Sequence, residues 1–159
     1  MTGTWPAADL GPVRRMQILA AAIPGTAIAA TIVTQPFEQV WAVASDLEAE
    51  LPHMIRDFRA VRVSPGQGGR LVLHARGRFG QRARFDVVLL PGWCWMQSRF
   101  LVGGIAAAPH PDGTSVVFVG GLRLPGMRLF QPLIDTVGEA LAAGALRRLA
   151  DRIRLRDAG

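Results

Sequence analysis

The feature that most restricts the fold is a run of short alternating segments, each closed by a Gly- or Pro-bearing turn and followed by one long helical segment. Pro65-Gly66-Gln67-Gly68-Gly69, Gly80-Gln81, Pro91-Gly92 and Pro111-Asp112-Gly113 are turn sequences, and Pro91-Gly92 suits the two central positions of a type II turn. Residues 59–63, 70–79, 82–90, 93–107 and 115–124 between them read as strands, the fourth bent at Gly103-Gly104. Strands at this spacing predict an antiparallel meander. Ahead of it, residues 26–34 are rich in β-branched side chains and form a first strand. Pro36 then opens a helix over 37–45, with Phe37, Val40, Trp41 and Ala44 on one face. A second short helix over 46–55 is interrupted by Pro52, and Pro125-Gly126 ends the sheet. From about residue 127 or 133 to 156 the chain is helical.

The strands alternate. In 82–90, Ala83, Phe85, Val87 and Leu89 share one face, and Arg82, Arg84 and Asp86 the other. A two-residue turn at Pro91-Gly92 sets Leu89 opposite Cys94, and Cys94, Met96, Ser98 and Phe100 continue the apolar face. Val116, Phe118, Gly120 and Leu122 extend it, as do Leu71, Leu73, Ala75 and Gly77. A slip of one residue would instead turn Asp86, Trp93, Trp95, Gln97 and Arg99 inward. A sheet with one apolar face must cover that face, and the C-terminal helix is the element long enough to do so. The chain therefore predicts an α+β helix-grip domain over residues 26–157, a curved antiparallel sheet wrapped around the long helix, with two short helices after the first strand. Residues 1–25 form an N-terminal extension, with a short helix over 13–23 stopped by Pro24-Gly25.

The long helix carries two apolar stripes, Leu133, Ile134, Val137 and Leu141, then Leu146, Leu149 and Ile153. Ala140 to Ala145 between them contains no side chain larger than Leu141, and most are methyls. Small residues there, opposite a curved sheet, predict a hollow for an apolar ligand. The plainer alternative is two surfaces of Ala and Gly in close contact.

The 159 residues carry a net charge of +6, every basic side chain is Arg, and Lys, Asn and Tyr are absent. All three missing residues have AT-rich codons, so GC-rich coding explains the Arg, Ala and Gly content. The arginines are spread over several elements rather than gathered between aromatics, so no nucleic-acid partner is expected. No apolar run reaches the ~18–20 residues of a membrane span. Cys94 is the single cysteine, which excludes an internal disulfide. Arg14-Arg15 followed by an apolar stretch ending near Ala29 has the look of an export leader, but cleavage there would destroy the first strand, so a cytoplasmic protein is expected.

The order strand, two short helices, meander, long helix resembles the START-like or SRPBCC superfamily over about residues 26–155. Pro36, Val40-Trp41, Asp46-Leu47 and Leu51-Pro52 look like the opening of that family, LLPGWCWMQSR like its Pro-rich turn and large-residue strand, and PDGTSVVF like its Gly-Thr hairpin. The resemblance implies a hydrophobic cavity between sheet and helix. Its members include polyketide cyclases and dehydratases, lipid carriers and hormone receptors, so it implies a ligand class and not a reaction.

Face and resemblance together give a lining set of Trp41, Met54, Phe58, Leu73, Ala75, Phe85, Val87, Trp95, Met96 and Phe100. Phe118, Gly120, Leu122, Met127, Phe130 and Leu141 complete it. No catalytic triad, phosphate loop or metal-ligand spacing is present in the sequence, so no metal and no cofactor are expected. His53, Gln97 and Ser98 are the candidate catalytic residues, as donors to a ligand carbonyl or as a base, with a surface turn as the plainer place for His53. Arg76, Arg78, Arg82, Arg84, Asp86 and Arg99 form an outer band that cross-strand pairing would explain. A reaction that needs few acid-base groups fits best, such as aldol or dehydrative cyclisation, or pericyclic closure, of a folded polyketide or polyene in natural-product biosynthesis. A non-catalytic carrier of a lipid or other hydrophobe is the alternative, and a partner-binding domain a third. Trp93 and Trp95, if they face outward uncovered, favour a homodimer.

Overall fold

A computed structural model of the chain describes residues 10–123, 125, 126, 129 and 131–159. Met127 and Phe130 lie outside the described residues. The elements are α1 (Pro12–Ala22), β1 (Thr26–Val33), α2 (Phe37–Ala44), α3 (Leu47–Met54), β2 (Phe58–Pro65), β3 (Leu71–Gly77), β4 (Arg82–Leu90), β5 (Trp93–Gln97), β6 (Leu101–His110), β7 (Gly113–Leu122) and α4 (Gln131–Asp157). The strands form one antiparallel sheet in the order β1-β7-β6-β5-β4-β3-β2. The sheet curves around α4, with α2 and α3 following the first strand, as in a helix-grip fold. Among the described residues no helix is long and apolar enough to cross a membrane.

Local chemistry sets most boundaries. Pro12 stands in the first turn of α1, where its missing N–H costs nothing. Thr26 Oγ1 donates to the carbonyls of Ala20 (2.6 Å) and Ile23 (2.8 Å), which ties the end of α1 to the start of β1. Asp46 caps α3 by accepting from the Ala49 N–H at 3.4 Å. The Pro91-Gly92 turn does contain two residues: Leu90 pairs with Trp93 and Leu89 with Cys94, and Gly92 has φ of 73°. That fixes the register. Phe85, Val87, Cys94 and Met96 face the main core, while Trp93 and Trp95 face the convex side.

The expected long strand over 93–107 is two strands. β5 ends at Gln97, Arg99-Phe100 forms the turn, and β6 returns from Leu101. Ser98 Oγ accepts the Leu101 N–H at 3.0 Å and the Phe100 N–H at 3.4 Å, so one hydroxyl builds a turn without Gly or Pro. In the bent single strand Phe100 would have joined the inner face; in the hairpin it is 41% exposed, beneath the Arg99 guanidinium at 5.2 Å.

The sheet is covered on both sides over part of its width. On the concave side α4 contributes Ala142, Ala145, Leu146, Leu149 and Ile153 to the main core. On the convex side α1 inserts Met16 and Ala20 against Ala106, Val117, Val119, Trp93 and Trp95. A Cβ on Gly104 would lie 2.8 Å from Met16 Sδ, so the bare glycine gives the helix its seat. Trp93 and Trp95, expected to favour a homodimer if uncovered, face outward and are half-buried beneath the chain's own helix.

Candidate functional site

The inner face of the sheet changes character along its length. From β2 to β5 it is filled by Val61, Leu73, Ala75, Phe85, Val87 and Met96. Across β5, β6, β7 and β1 runs one cross-strand row of Met96, Gly103, Gly120 and Ala27. Two of these four carry no side chain and one only a methyl. A Cβ on Gly138 of α4 would meet Ala27 Cβ at 3.0 Å, so the helix comes down closely on β1. Beside that contact the described residues leave the row open at Gly120: among them, a Cβ on Gly120 would meet a single atom within 4 Å, Phe118 Cε1 at 3.8 Å, while Met96 Cε lies 3.3 Å from where a Gly103 Cβ would be. Leu101 and Leu122 flank the row as a pair and are half-buried. This recess is apolar throughout its described residues.

Several expected lining residues reach the main core. Met54, Leu73 and Val87 are fully buried, and Ala75, Phe85, Met96 and Phe118 nearly so. Half-buried Phe58 packs edge-on against Phe85, ring centres 6.1 Å apart. Trp41 lies parallel to Phe37 at 6.4 Å and is half-buried. Gly120 and Leu122 lie at the open row. Three residues fall elsewhere. Trp95 belongs to the convex-side core under α1. Phe100 sits in the turn described above. Leu141 is 64% exposed, because α4 is rotated to bury the stripe through Leu146, Leu149 and Ile153. Leu133 and Val137 are exposed with it.

The candidate catalytic residues do not converge on the row. His53 is exposed on α3. Gln97 is exposed opposite Asp86 on the outer face, as the register requires. The Ser98 hydroxyl serves the turn. Cys94 is on the inner face, where burial pushes its thiol up to about 12, so it is no nucleophile at neutral pH. Among the described residues no group of three or more His, Cys, Asp or Glu side chains could hold a metal ion.

The strongest polar constellation lies at the other end of α4. The fully buried Glu50 carboxylate of α3 accepts from Arg152 Nε at 2.7 Å and Nη2 at 3.2 Å, and from Arg156 Nη2 at 2.7 Å. Arg156 Nη2 also reaches Asp46 at 2.9 Å. The hydrogen bond from Arg152 holds the Glu50 carboxyl below the usual carboxylate range, against the opposing effect of burial. Sequence reading did not find this clamp, since Glu50 and Arg152 stand far apart in the chain. Arg148 Nε adds a bond to the Met54 carbonyl at 2.8 Å. Together these bonds fix α3 against the C-terminal half of α4.

No protein-family description matches the sequence, and no curated protein is detectably similar to it. Solved structures do share its fold. The di-domain aromatase/cyclase StfQ from the steffimycin biosynthetic pathway superposes with a TM-score of 0.66 at 10% identity, over 92% of this chain and 56% of that one. The Zhui aromatase/cyclase from Streptomyces sp. R1128 gives 0.61 at 14% identity, over 82% and 94%. TTHA0849 from Thermus thermophilus gives 0.63 at 19% identity, over 82% and 98%. At these identities the likeness is one of fold alone.

Proposed function

We propose that the chain binds an apolar polyketide or polyene across the Met96–Gly103–Gly120–Ala27 row and templates its ring closure, as a cofactor-independent cyclase of natural-product assembly, antibiotics among the products. The observation that carries this reading is the space that the described residues leave over Gly120, on a sheet whose fold is shared with two aromatase/cyclases. A long flexible substrate loses most of its conformational freedom when it folds for cyclisation. A shaped apolar wall takes that loss at binding, and well-oriented intramolecular reactions gain up to ~7–11 kcal/mol in favourable cases. An aldol closure with loss of water, or a pericyclic closure, suits a recess with no ionisable side chain described on it. Leu101, Leu122 and Phe118 would hold the chain, and Met96 would adapt to its outline.

A second reading, a carrier of a lipid or other hydrophobe, is favoured by one specific observation: none of His53, Gln97 or Ser98 reaches the row. Native mass spectrometry of the protein purified from its own host, with release and identification of any ligand, tests both readings. A polyketide-like mass that the protein converts from its linear precursor supports the cyclase. A fatty acid recovered unchanged supports the carrier. The Gly120→Val variant puts its Cβ at ordinary contact distance from Phe118 and directs two methyls into the recess, so it should fold and lose uptake. Uptake undiminished in that variant would refute the location.

A further inference from the structure

The charge of this protein is gathered in one region. From Arg56 to Arg84 eight arginines stand against one acid, Asp57. This segment alone carries +7, so the rest of the chain is close to neutral. Folding concentrates it further. On the convex face Arg62, His74 and Arg84 form one cross-strand row, and Ala60, Arg76 and Arg82 the next. Like charges in directly opposed positions repel, and neighbours within a row sit on strands only ~4.8 Å apart. Asp86 lies on the same face, 3.7 Å from Arg84, and at the β2 edge Asp46 and Glu48 line one groove with Arg59 and Arg62. Among the described residues Arg56, Arg59, Arg62, Arg76, Arg78 and Arg82 have no carboxylate within ion-pair distance. Unlike the β6–β7 part of the convex face, this part is uncovered by α1.

At the end of these rows the β3–β4 hairpin carries Phe79 at its tip, 93% exposed. The hairpin is held in place: Gly77 N–H donates to the Gln81 carbonyl at 2.8 Å, and Arg78 N–H to the Asp57 carbonyl at 3.1 Å. Arg76 and Arg82 lie on its convex side, and the Arg78–Asp57 bond sets the 56–59 segment beside its β3 edge. We propose that this hairpin and its arginines form a docking surface for an anionic lipid bilayer, with Phe79 entering the headgroup region and the guanidiniums engaging lipid phosphates and carboxylates. The surroundings favour a plane over a strand. A single-stranded nucleic acid asks for a groove with successive stacking aromatics, whereas here one aromatic protrudes at the tip of a hairpin that carries arginines on its convex side. A lone protruding ring needs a matching pocket in a protein partner, but a bilayer accepts it anywhere.

The test is flotation of the full chain with phosphatidylcholine vesicles, with and without phosphatidylserine. Binding should require phosphatidylserine and weaken with added salt. Each arginine near an anionic surface contributes about fivefold in partition, so the double variant Arg76→Ala/Arg82→Ala should bind about 25-fold less. Phe79→Ala should weaken binding while leaving its salt dependence. Arg14→Ala/Arg154→Ala removes the same net charge elsewhere and should leave binding unchanged. Equal binding to neutral and anionic vesicles would overturn the proposal, and so would an equal loss in the two double variants. Failure to float, with Phe79-dependent binding of an oligo-dT probe instead, would assign the surface to single-stranded nucleic acid.

Discussion

Glu50→Gln isolates the clamp between α3 and α4. The wild-type carboxylate is fully buried and takes three charge-assisted bonds, two from Arg152 and one from Arg156. Breaking a buried ion pair by altering one partner costs about 3–5 kcal/mol. Arg152 and Arg156 retain 30% and 41% exposure and can rehydrate, so the lower end applies, about 3 kcal/mol. For a domain of this size that is a fall in Tm of about 6–12 °C. The pH dependence has a definite sign. The folded carboxyl has a depressed pKa, so its contribution is present above the ordinary carboxylate range and lost as pH falls through the folded value. Urea melts of both proteins from about pH 7 to about pH 3 would show the gap closing with acid. A gap below about 1 kcal/mol at neutral pH, or one that persists unchanged in acid, would refute the view that this ionised carboxylate clamps the helix.

Met16→Asp places a charge in the seat of α1 and should release that helix from the sheet without unfolding the main core. Tryptophan emission should shift to the red as Trp93 and Trp95 are wetted, with the strand circular dichroism retained, and sedimentation should then show self-association. Cys94, with its thiol raised to about 12, should be ionised in only about one molecule in ten thousand at pH 8. It should therefore ignore a thiol reagent in the native protein and react fully in guanidinium. Gly113 has φ of 135°, and a Cβ there would collide with the Val33 carbonyl oxygen. Gly113→Ala should cost about 3 kcal/mol or more, measurable by chemical denaturation.

The meander, the long helix and the β4–β5 register are legible in the sequence because alternation and Pro-Gly turn chemistry are local. What the sequence conceals is decided across the fold. The split of residues 93–107 rests on one hydroxyl, Ser98, accepting two N–H groups in a turn whose central residues, Arg99 and Phe100, carry no turn preference. The rotation of α4 cannot be read from its own periodicity, because two apolar stripes compete. Tertiary contacts choose between them: Glu50 holds Arg152 and Arg156, and Gly138 meets Ala27. That choice moves Leu141 from the expected lining to the surface and leaves the recess over Gly120 to the sheet's own glycines. The arginines look dispersed along the chain, and it is the register of β2, β3 and β4 that stacks them into rows. Gln97 faces inward only under a one-residue slip, which the two-residue Pro91-Gly92 turn excludes, and the Ser98 hydroxyl is taken by its own hairpin.

The position of α1 has a consequence for how the protein is made. Met16 is translated early, yet the platform that receives it includes Ala106, Val117 and Val119. About a hundred residues must be added before that platform exists, which takes on the order of 5–20 s at ordinary elongation rates. Throughout that interval the nascent helix shows its oily side to whatever surrounds the ribosome. α1 is thus made before the sheet that seats it and is one of the last elements to find its place, a latecomer fastened to the back of a finished sheet. Its release ahead of the rest of the fold would follow the same order in reverse.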